Sequence, residues 1–250
     1  MNSYLKDKVL EVVKISKDYN GELIFKDISL YLSKGEFVSI LGPSGIGKST
    51  LFDVISGLKK PKSGKFLING TDETERTGIV SYMHQKDLLL PWRTVVENGA
   101  VPLEIKGMKK KDAMDKVMEK LDIFGLQEHK DKYPSQLSGG MKQRASLLRT
   151  YMFSKEVMLL DEPFGGLDAL TKHKMQDYLL KVQEKIKASI LFITHDIEEA
   201  VFLSDRIYIL NGNPARIVKE IQVNIERPRT DEMMSTIQFN NIKREIMTLL

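Results

Sequence analysis

The sequence predicts an α/β fold with a largely parallel sheet, and three apolar runs predict it. Phe37-Val38-Ser39-Ile40-Leu41 leads into a glycine-rich loop, and Leu51, Val54, Ile55 and Leu58 then recur at helical spacing, with Gly57 suited to the helix end. Val157-Met158-Leu159-Leu160 ends in Asp161-Glu162, and Ser189 to Ile193 ends at Thr194-His195-Asp196. Between the last two runs Met175, Tyr178, Leu179, Val182 and Ile186 mark a long helix. Strands that alternate with helices read as βαβ units, whose connections make the strands parallel.

The remaining elements follow in order. Residues 9–41 read as strands: Val9 to Ile15 is β-rich, and Ile28, Leu30 and Leu32 alternate with polar residues or Tyr31. Lys17-Asp18-Tyr19-Asn20-Gly21 between them reads as a turn. Pro61-Lys62-Ser63-Gly64 is a second turn, followed by a strand from Lys65 to Ile68 and the turn Asn69-Gly70. Gly78 to Met83 reads as a strand ending at His84-Gln85, before the apolar cluster Leu88-Leu89-Leu90-Pro91-Trp92. Residues 90–153 change character. Ala113, Met114, Val117, Met118 and Leu121 mark one face of an amphipathic helix, and Ser138 is placed to cap a second helix. This stretch reads as a helical subdomain inserted into an α/β core formed by residues 1–89 and 154–250, within one domain spanning residues 1–250. Arg206 to Leu210 and Ile217 to Val223 flank the hairpin turn Asn211-Gly212, and the tail after Glu226-Arg227-Pro228-Arg229 reads as helical.

Composition limits what such a fold can do. The 250 residues are 42% hydrophobic, enough for a large core. The formal charge of +4 is mild and spread along the chain, which does not favour a nucleic-acid groove. With no Cys there is no disulfide, thiolate metal site or Cys nucleophile. No apolar stretch reaches the ~18 residues of a membrane span. The polar start Met1-Asn2-Ser3-Tyr4-Leu5-Lys6-Asp7-Lys8 lacks a signal-peptide core, so a cytoplasmic location is expected, with any membrane role exercised through partners.

The strongest chemical signal is Gly42-Pro43-Ser44-Gly45-Ile46-Gly47-Lys48-Ser49-Thr50, which fits Gly-x-x-x-x-Gly-Lys-Ser/Thr, the phosphate-binding loop of nucleotide hydrolases. Glycines let the backbone curl so that its N–H groups face an anion, and the following helix adds its positive end. Lys48 places a point charge on the β- and γ-phosphates, and the Ser49 hydroxyl is a Mg²⁺ ligand. Asp161 and Glu162 stand at the carboxyl end of a strand, where ligands bind in parallel sheets. Asp161 there holds Mg²⁺ and Glu162 polarises a water, or the pair is simply a polar strand exit. His195 leaves its strand at the same edge and can donate to a γ-phosphate. His84, His129 and His173 read as surface or packing residues. Tyr19 is either an ordinary turn tyrosine or an aromatic that stacks on a base, and Leu137-Ser138-Gly139-Gly140-Met141 is either an ordinary helix cap or an anion site.

The order of these motifs resembles the ATP-binding-cassette (ABC) ATPases, and the resemblance covers nearly the whole chain. Leu137-Ser138-Gly139-Gly140-Met141-Lys142-Gln143-Arg144 looks like the family's signature sequence, and Val157 to Glu162 like its Walker B strand. The resemblance implies a phosphate-loop NTPase (RecA-like) core with a mostly parallel sheet, an N-terminal antiparallel β subdomain and the inserted helical subdomain. It implies ATP and Mg²⁺ as cofactors and three catalytic residues: Glu162, His195 and Gln85. Tyr19 and residues 42–50 would bind one nucleotide, Ser138, Gly140 and Asp168 would serve at a nucleotide, and Ser49, Gln85 and Asp161 would hold the metal. His84 before Gln85 and Gly166 in the Gly165-Gly166-Leu167-Asp168 loop depart slightly from the family pattern.

The resemblance also implies a head-to-tail homodimer with ATP sandwiched between the subunits. The partners would be two permease subunits and, indirectly, a solute-binding protein at the cytoplasmic face of the membrane. Leu90-Pro91-Trp92 and Ile225-Glu226-Arg227-Pro228-Arg229-Thr230 are similar to nitrate, sulfonate and taurine importer ATPases, and importers of thiamine precursors look much alike. Two other functions compete. A non-transport ABC ATPase acting on ribosomes or DNA would carry two cassettes or a coiled-coil insertion. A small-molecule kinase would not need Leu137 to Met141.

Overall fold

The computed structural model describes residues 7–154 and 156–250, so the first six residues of the polar start lie outside the described residues. In chain order the elements are β1 (Lys8–Tyr19), β2 (Glu22–Ser33), β3 (Phe37–Leu41), α1 (Lys48–Ile55), β4 (Ser63–Ile68), β5 (Thr71–Asp72), β6 (Ser81–Met83), α2 (Val95–Ile105), α3 (Lys110–Met118), α4 (Gly139–Phe153), β7 (Val157–Asp161), α5 (Ala169–Ile186), β8 (Ser189–Thr194), α6 (Ile197–Leu203), β9 (Arg206–Asn211), β10 (Arg216–Gln222) and α7 (Ile237–Met247). The chain divides into two compact units: residues up to Ile79 with Ser189–Leu250, and Val80–Ala188.

The first unit holds two sheets. One is antiparallel in the order β2-β1-β4-β5, closed by the turns Asn20-Gly21 and Asn69-Gly70. All four turn residues have positive φ, the geometry that matches strand twist in a two-residue hairpin. In the other, β3 runs parallel to both β8 and β9, and β10 returns antiparallel on β9. Every residue of β3 and β8 is buried, as the unbroken apolar runs require. Arg206, 1% exposed, is tolerated there because its donors are matched. It gives 3.0 and 3.1 Å bonds to the Glu36 carboxylate, one to the Tyr31 carbonyl and one to the Tyr208 hydroxyl.

In the second unit β6 runs parallel to β7, with Met83 paired to Leu160, while α2 packs on α3 and α4. A capping box starts α2: Thr94 accepts from the Glu97 N–H, and the Glu97 carboxylate accepts from the Thr94 N–H.

The observed α/β architecture, with mostly parallel central strands and an antiparallel N-terminal sheet, is the predicted one. Several boundaries differ. The first strand continues to Tyr19, so the turn shrinks from Lys17–Gly21 to Asn20-Gly21. Only Ser81–Met83 of the run Gly78–Met83 is strand. Helix α1 stops at Ile55 and leaves Leu58 exposed, because Gly57 turns the chain at φ 77° against the Arg76 carbonyl. On α3, Ala113 and Val117 are buried, but Met118 points out.

Candidate functional site

In the first unit the phosphate loop runs from the end of β3 into α1. Residue 42 has no room for a side chain, since a Cβ there would lie 2.4 Å from the Leu210 carbonyl oxygen. Gly47 sits at φ 104° as the N-cap of α1, and a Cβ on it would lie 2.6 Å from Ile24 Cγ2. These two positions bring the chain close to β9 and to the β1–β2 hairpin, and the first N–H groups of α1 have no acceptor within the helix, as at any helix start. Pro43, Ser44, Gly45 and Ser49 are exposed, Ile46 and Thr50 half-buried. Lys48 is 4% exposed and folds back over the loop, its Nζ donating to the Gly42 and Pro43 carbonyls at 2.8 and 2.9 Å. An ammonium held by two loop carbonyls can exchange them for phosphate oxygens.

His195 joins this loop through register. Leu41 and Thr194 are partners in the parallel β3–β8 ladder, so Gly42 and His195 leave neighbouring strands at the same level. His195 is exposed. Tyr19, 41% exposed at the end of β1, has the ammonium groups of Lys17 and Lys59 at 5.2 and 5.4 Å from its ring centre.

In the second unit the Met83–Leu160 pairing brings Gln85 and Glu162 out of adjacent strands, each two residues beyond the paired position. Asp161 is 4% exposed, and Tyr82 Oη donates to its Oδ2 at 3.2 Å. Glu162 has φ 43°, an unfavourable backbone region for a residue with a Cβ, and such strain clusters at active sites. Its carbonyl accepts from the Gly165 N–H at 3.0 Å. Gln85 covers this turn, its Nε2 standing 3.3 Å from where a Cβ on Gly165 would be. The Asp161 carboxylate is a hard oxygen donor of the kind Mg²⁺ takes.

Ser138 caps α4, its Oγ accepting from the Met141 N–H, and Asp168 caps α5, its Oδ1 accepting from the Thr171 N–H. The bonds from Thr171 hold the Asp168 carboxyl below the usual carboxylate range. A Cβ on Gly139 would stand 3.3 Å from Leu167, and one on Gly140 3.4 Å from Thr171. The signature glycines therefore lie against the loop and first turn that Asp168 opens.

Sequence reasoning missed the residues that hold the segment after Gln85. Asn98, fully buried on α2, accepts from the Leu90 N–H and donates to the carbonyls of Leu90, Arg93 and Thr94. Arg149 on α4 donates to the Asp87 and Leu88 carbonyls at 2.7 Å each, and Ser146 to that of Asp87. Leu88, at φ 47°, is 53% exposed and Trp92 69% exposed, while Leu89 is buried. No local spacing signals these bonds.

A Gly-x-x-x-x-Gly-Lys-Ser loop at the carboxyl end of β3 in the first unit, and carboxylates at the carboxyl end of β7 in the second, are marks of the phosphate-loop class of nucleotide hydrolases. The ABC transporter family profile matches residues 25–165, and this chain belongs to that family: it is an ATPase with ATP and Mg²⁺ as its cofactors. The chain is 38% identical to the nitrate import ATP-binding protein of Synechocystis sp., over 96% of this chain and 94% of that protein. It is 39% identical to the aliphatic sulfonates import ATP-binding protein of Bacillus cereus, over 93% and 90%. Against the formylaminopyrimidine import ATP-binding protein of Halalkalibacterium halodurans the identity is 42%, over 91% and 90%. Among solved structures it is similar to the dimeric ATP-binding cassette MJ0796 bound to ADP and Pi, with 29% identity, a TM-score of 0.72, and coverage of 87% of this chain and 100% of that one. Among the described residues no helix is long and apolar enough to cross a membrane.

Proposed function

We propose that this ATPase powers uptake of a small solute through permease subunits, as the peripheral, cytoplasmic-face engine of an importer. The observation that carries the reading is the pinned segment after Gln85. Loop backbone is usually left mobile, yet here Asn98, Ser146 and Arg149 hold it while Leu88 and Trp92 face solvent. An exposed aromatic in a segment whose backbone is held in place suits a docking point for another protein. The names of the relatives favour nitrate, sulfonate or a thiamine-precursor pyrimidine as the solute class, delivered by a solute-binding protein that this chain does not touch.

In this reading residues 90–153 form the helical subdomain and the rest the α/β core. Lys48 and the N–H groups of residues 42–50 grip the β- and γ-phosphates, and Tyr19 stacks on the adenine. Ser49, Asp161 and Gln85 would hold Mg²⁺, which would neutralise phosphate charge. Glu162 orients the attacking water as general base, and His195 donates to the γ-phosphate. Two copies pair head to tail, so that Ser138 and Gly140 of each complete the nucleotide site of the other, with Asp168 at the same contact. ATP closes the pair and hydrolysis reopens it. Nothing observed favours a ribosome- or DNA-acting relative or a kinase.

Co-expression with the candidate permease tests the assignment. The chain should co-purify with it, and Trp92→Ala should weaken that association while ATP affinity stays the same. ATPase activity that no permease binds or modulates would count against the importer role.

A further inference from the structure

We infer that Arg227 and Arg229 form a two-pronged cap on helix α6 that fixes the position of His195 beside the phosphate loop. The inference rests on the catalytic reading of His195 and adds positioning residues remote from the nucleotide. They come from the Ile225–Thr230 stretch, which the ATPase chemistry leaves without a role.

The observations concern both ends of α6, a helix of only seven residues. Such a helix cannot hold itself together and depends on its caps and packing. At its start the Asp196 carboxylate accepts from the N–H groups of Glu198 and Glu199, at 2.8 and 3.2 Å. Thr194 Oγ1 accepts from the Asp196 N–H at 3.0 Å and bonds to the Glu199 carboxylate at 2.5 Å. His195 thus lies between two residues that are both tied to the first turn of α6.

At its other end, two guanidinium groups take the terminal carbonyls. Arg229 Nη1 donates to Val201, Phe202 and Ser204 at 3.1, 2.9 and 2.7 Å, and Arg227 Nη2 donates to Leu203 at 2.8 Å. Four consecutive carbonyls, Val201 to Ser204, therefore end on cations, where the helix dipole favours positive charge. Arg229 is 7% exposed, and its remaining bonds go to the Val223 and Ile225 carbonyls. A buried cation whose hydrogen bonds all go to carbonyls is costly to place. Burial lowers its pKa to about 10, which still leaves it charged at neutral pH.

The second prong reaches the strand that feeds the phosphate loop. Arg227 Nε donates to Asp205 Oδ1 at 2.9 Å, and Asp205 Oδ2 accepts from the N–H of Phe37, the first residue of β3, at 2.9 Å. One end of α6 is thereby anchored to the base of β3, and the other to His195 at the tip of β8. The paired Leu41 and Thr194 set the spacing of the two strand ends, and the cap holds the turn between β8 and α6 from which His195 projects. The tail adds a further tie where Lys243 pairs with Glu198.

The test is a double-mutant cycle in the full chain, measuring kcat, KM for ATP, ATP affinity at equilibrium and Tm. Arg229→Gln should lower kcat about 10- to 100-fold, the scale that misplacement of a catalytic group produces. ATP affinity should stay within about twofold, as for independent sites. In a His195→Ala background Arg229→Gln should cause no further loss. Arg227→Gln, which spares Arg229, should give a smaller kcat loss with the same dependence on His195, and it decides the matter if Arg229→Gln does not fold. Wild-type kcat in these variants, or losses that multiply with that of His195→Ala, would overturn the cap while leaving His195 catalytic. Wild-type kcat in His195→Ala itself would overturn the catalytic reading and the cap with it.

Discussion

The phosphate loop and the segment from Lys86 to Trp92 each follow a strand, yet they are held in opposite ways. The loop is fixed by chemistry within its own few residues: Gly42 and Gly47 permit the path, and Lys48 bonds carbonyls five and six residues back. The segment after Gln85 is fixed by side chains from elsewhere, Asn98 eight residues from Leu90 and Arg149 62 residues from Asp87. Removing one loop residue should therefore destroy an activity, whereas removing one remote anchor should loosen a surface.

The largest expected effect is that of Lys48→Ala. It removes the charge proposed to grip the phosphates, so ATP affinity should fall beyond measurement in an equilibrium titration; an unaltered Kd would remove the basis of the loop assignment. Asn98→Ala comes next. It removes the acceptor for the Leu90 N–H and a donor to the Arg93 carbonyl, at about 1–3 kcal/mol for unsatisfied groups of this kind, while the Leu90 and Thr94 carbonyls keep their bonds from the Arg93 and Asn98 N–H groups. It should lower Tm and weaken permease association while ATP affinity holds, and equal losses in ATP affinity and permease binding would erase the contrast between the two regions.

The smallest effect concerns the start of α2. Thr94→Ala should cost about 1 kcal/mol, the usual value of an N-cap, measured by denaturant unfolding. The Glu97 carboxyl is held below its ordinary value by Lys110 first and by the Thr94 N–H second. Its stabilisation is therefore complete above the ordinary value of 4.5 and is lost as pH falls through the lowered folded value. Glu97→Gln should accordingly flatten the acid limb of a Tm-against-pH profile, and an unchanged profile would show that Lys110 and the Thr94 N–H do not hold the Glu97 carboxyl down.

The same contrast explains what could be read from the sequence. The fold class, the phosphate loop, the strand-end carboxylates and the cap at Ser138 rest on local patterns, so they were legible. Leu58 and Met118 were not, because helical spacing continues on paper past the point where Gly57 or the end of α3 stops it. Arg206, Arg229 and Asn98 were also invisible. A polar residue in an apolar stretch looks like surface until distant acceptors are known to surround it. The strain at Glu162 is likewise a property of the folded chain, though the residue itself was readable from its place after a buried strand.

Steady-state hydrolysis by Glu162→Gln bears most directly on the central claim, that a strained strand-end glutamate acts on nucleotide gripped by the Lys48 loop. ATP binding should persist, the nucleotide-bound dimer should accumulate, and turnover should fall by about 10²–10³, as expected for losing one preorganised group in the transition state. Wild-type turnover in this variant would contradict the role given to Glu162 and the account built on it.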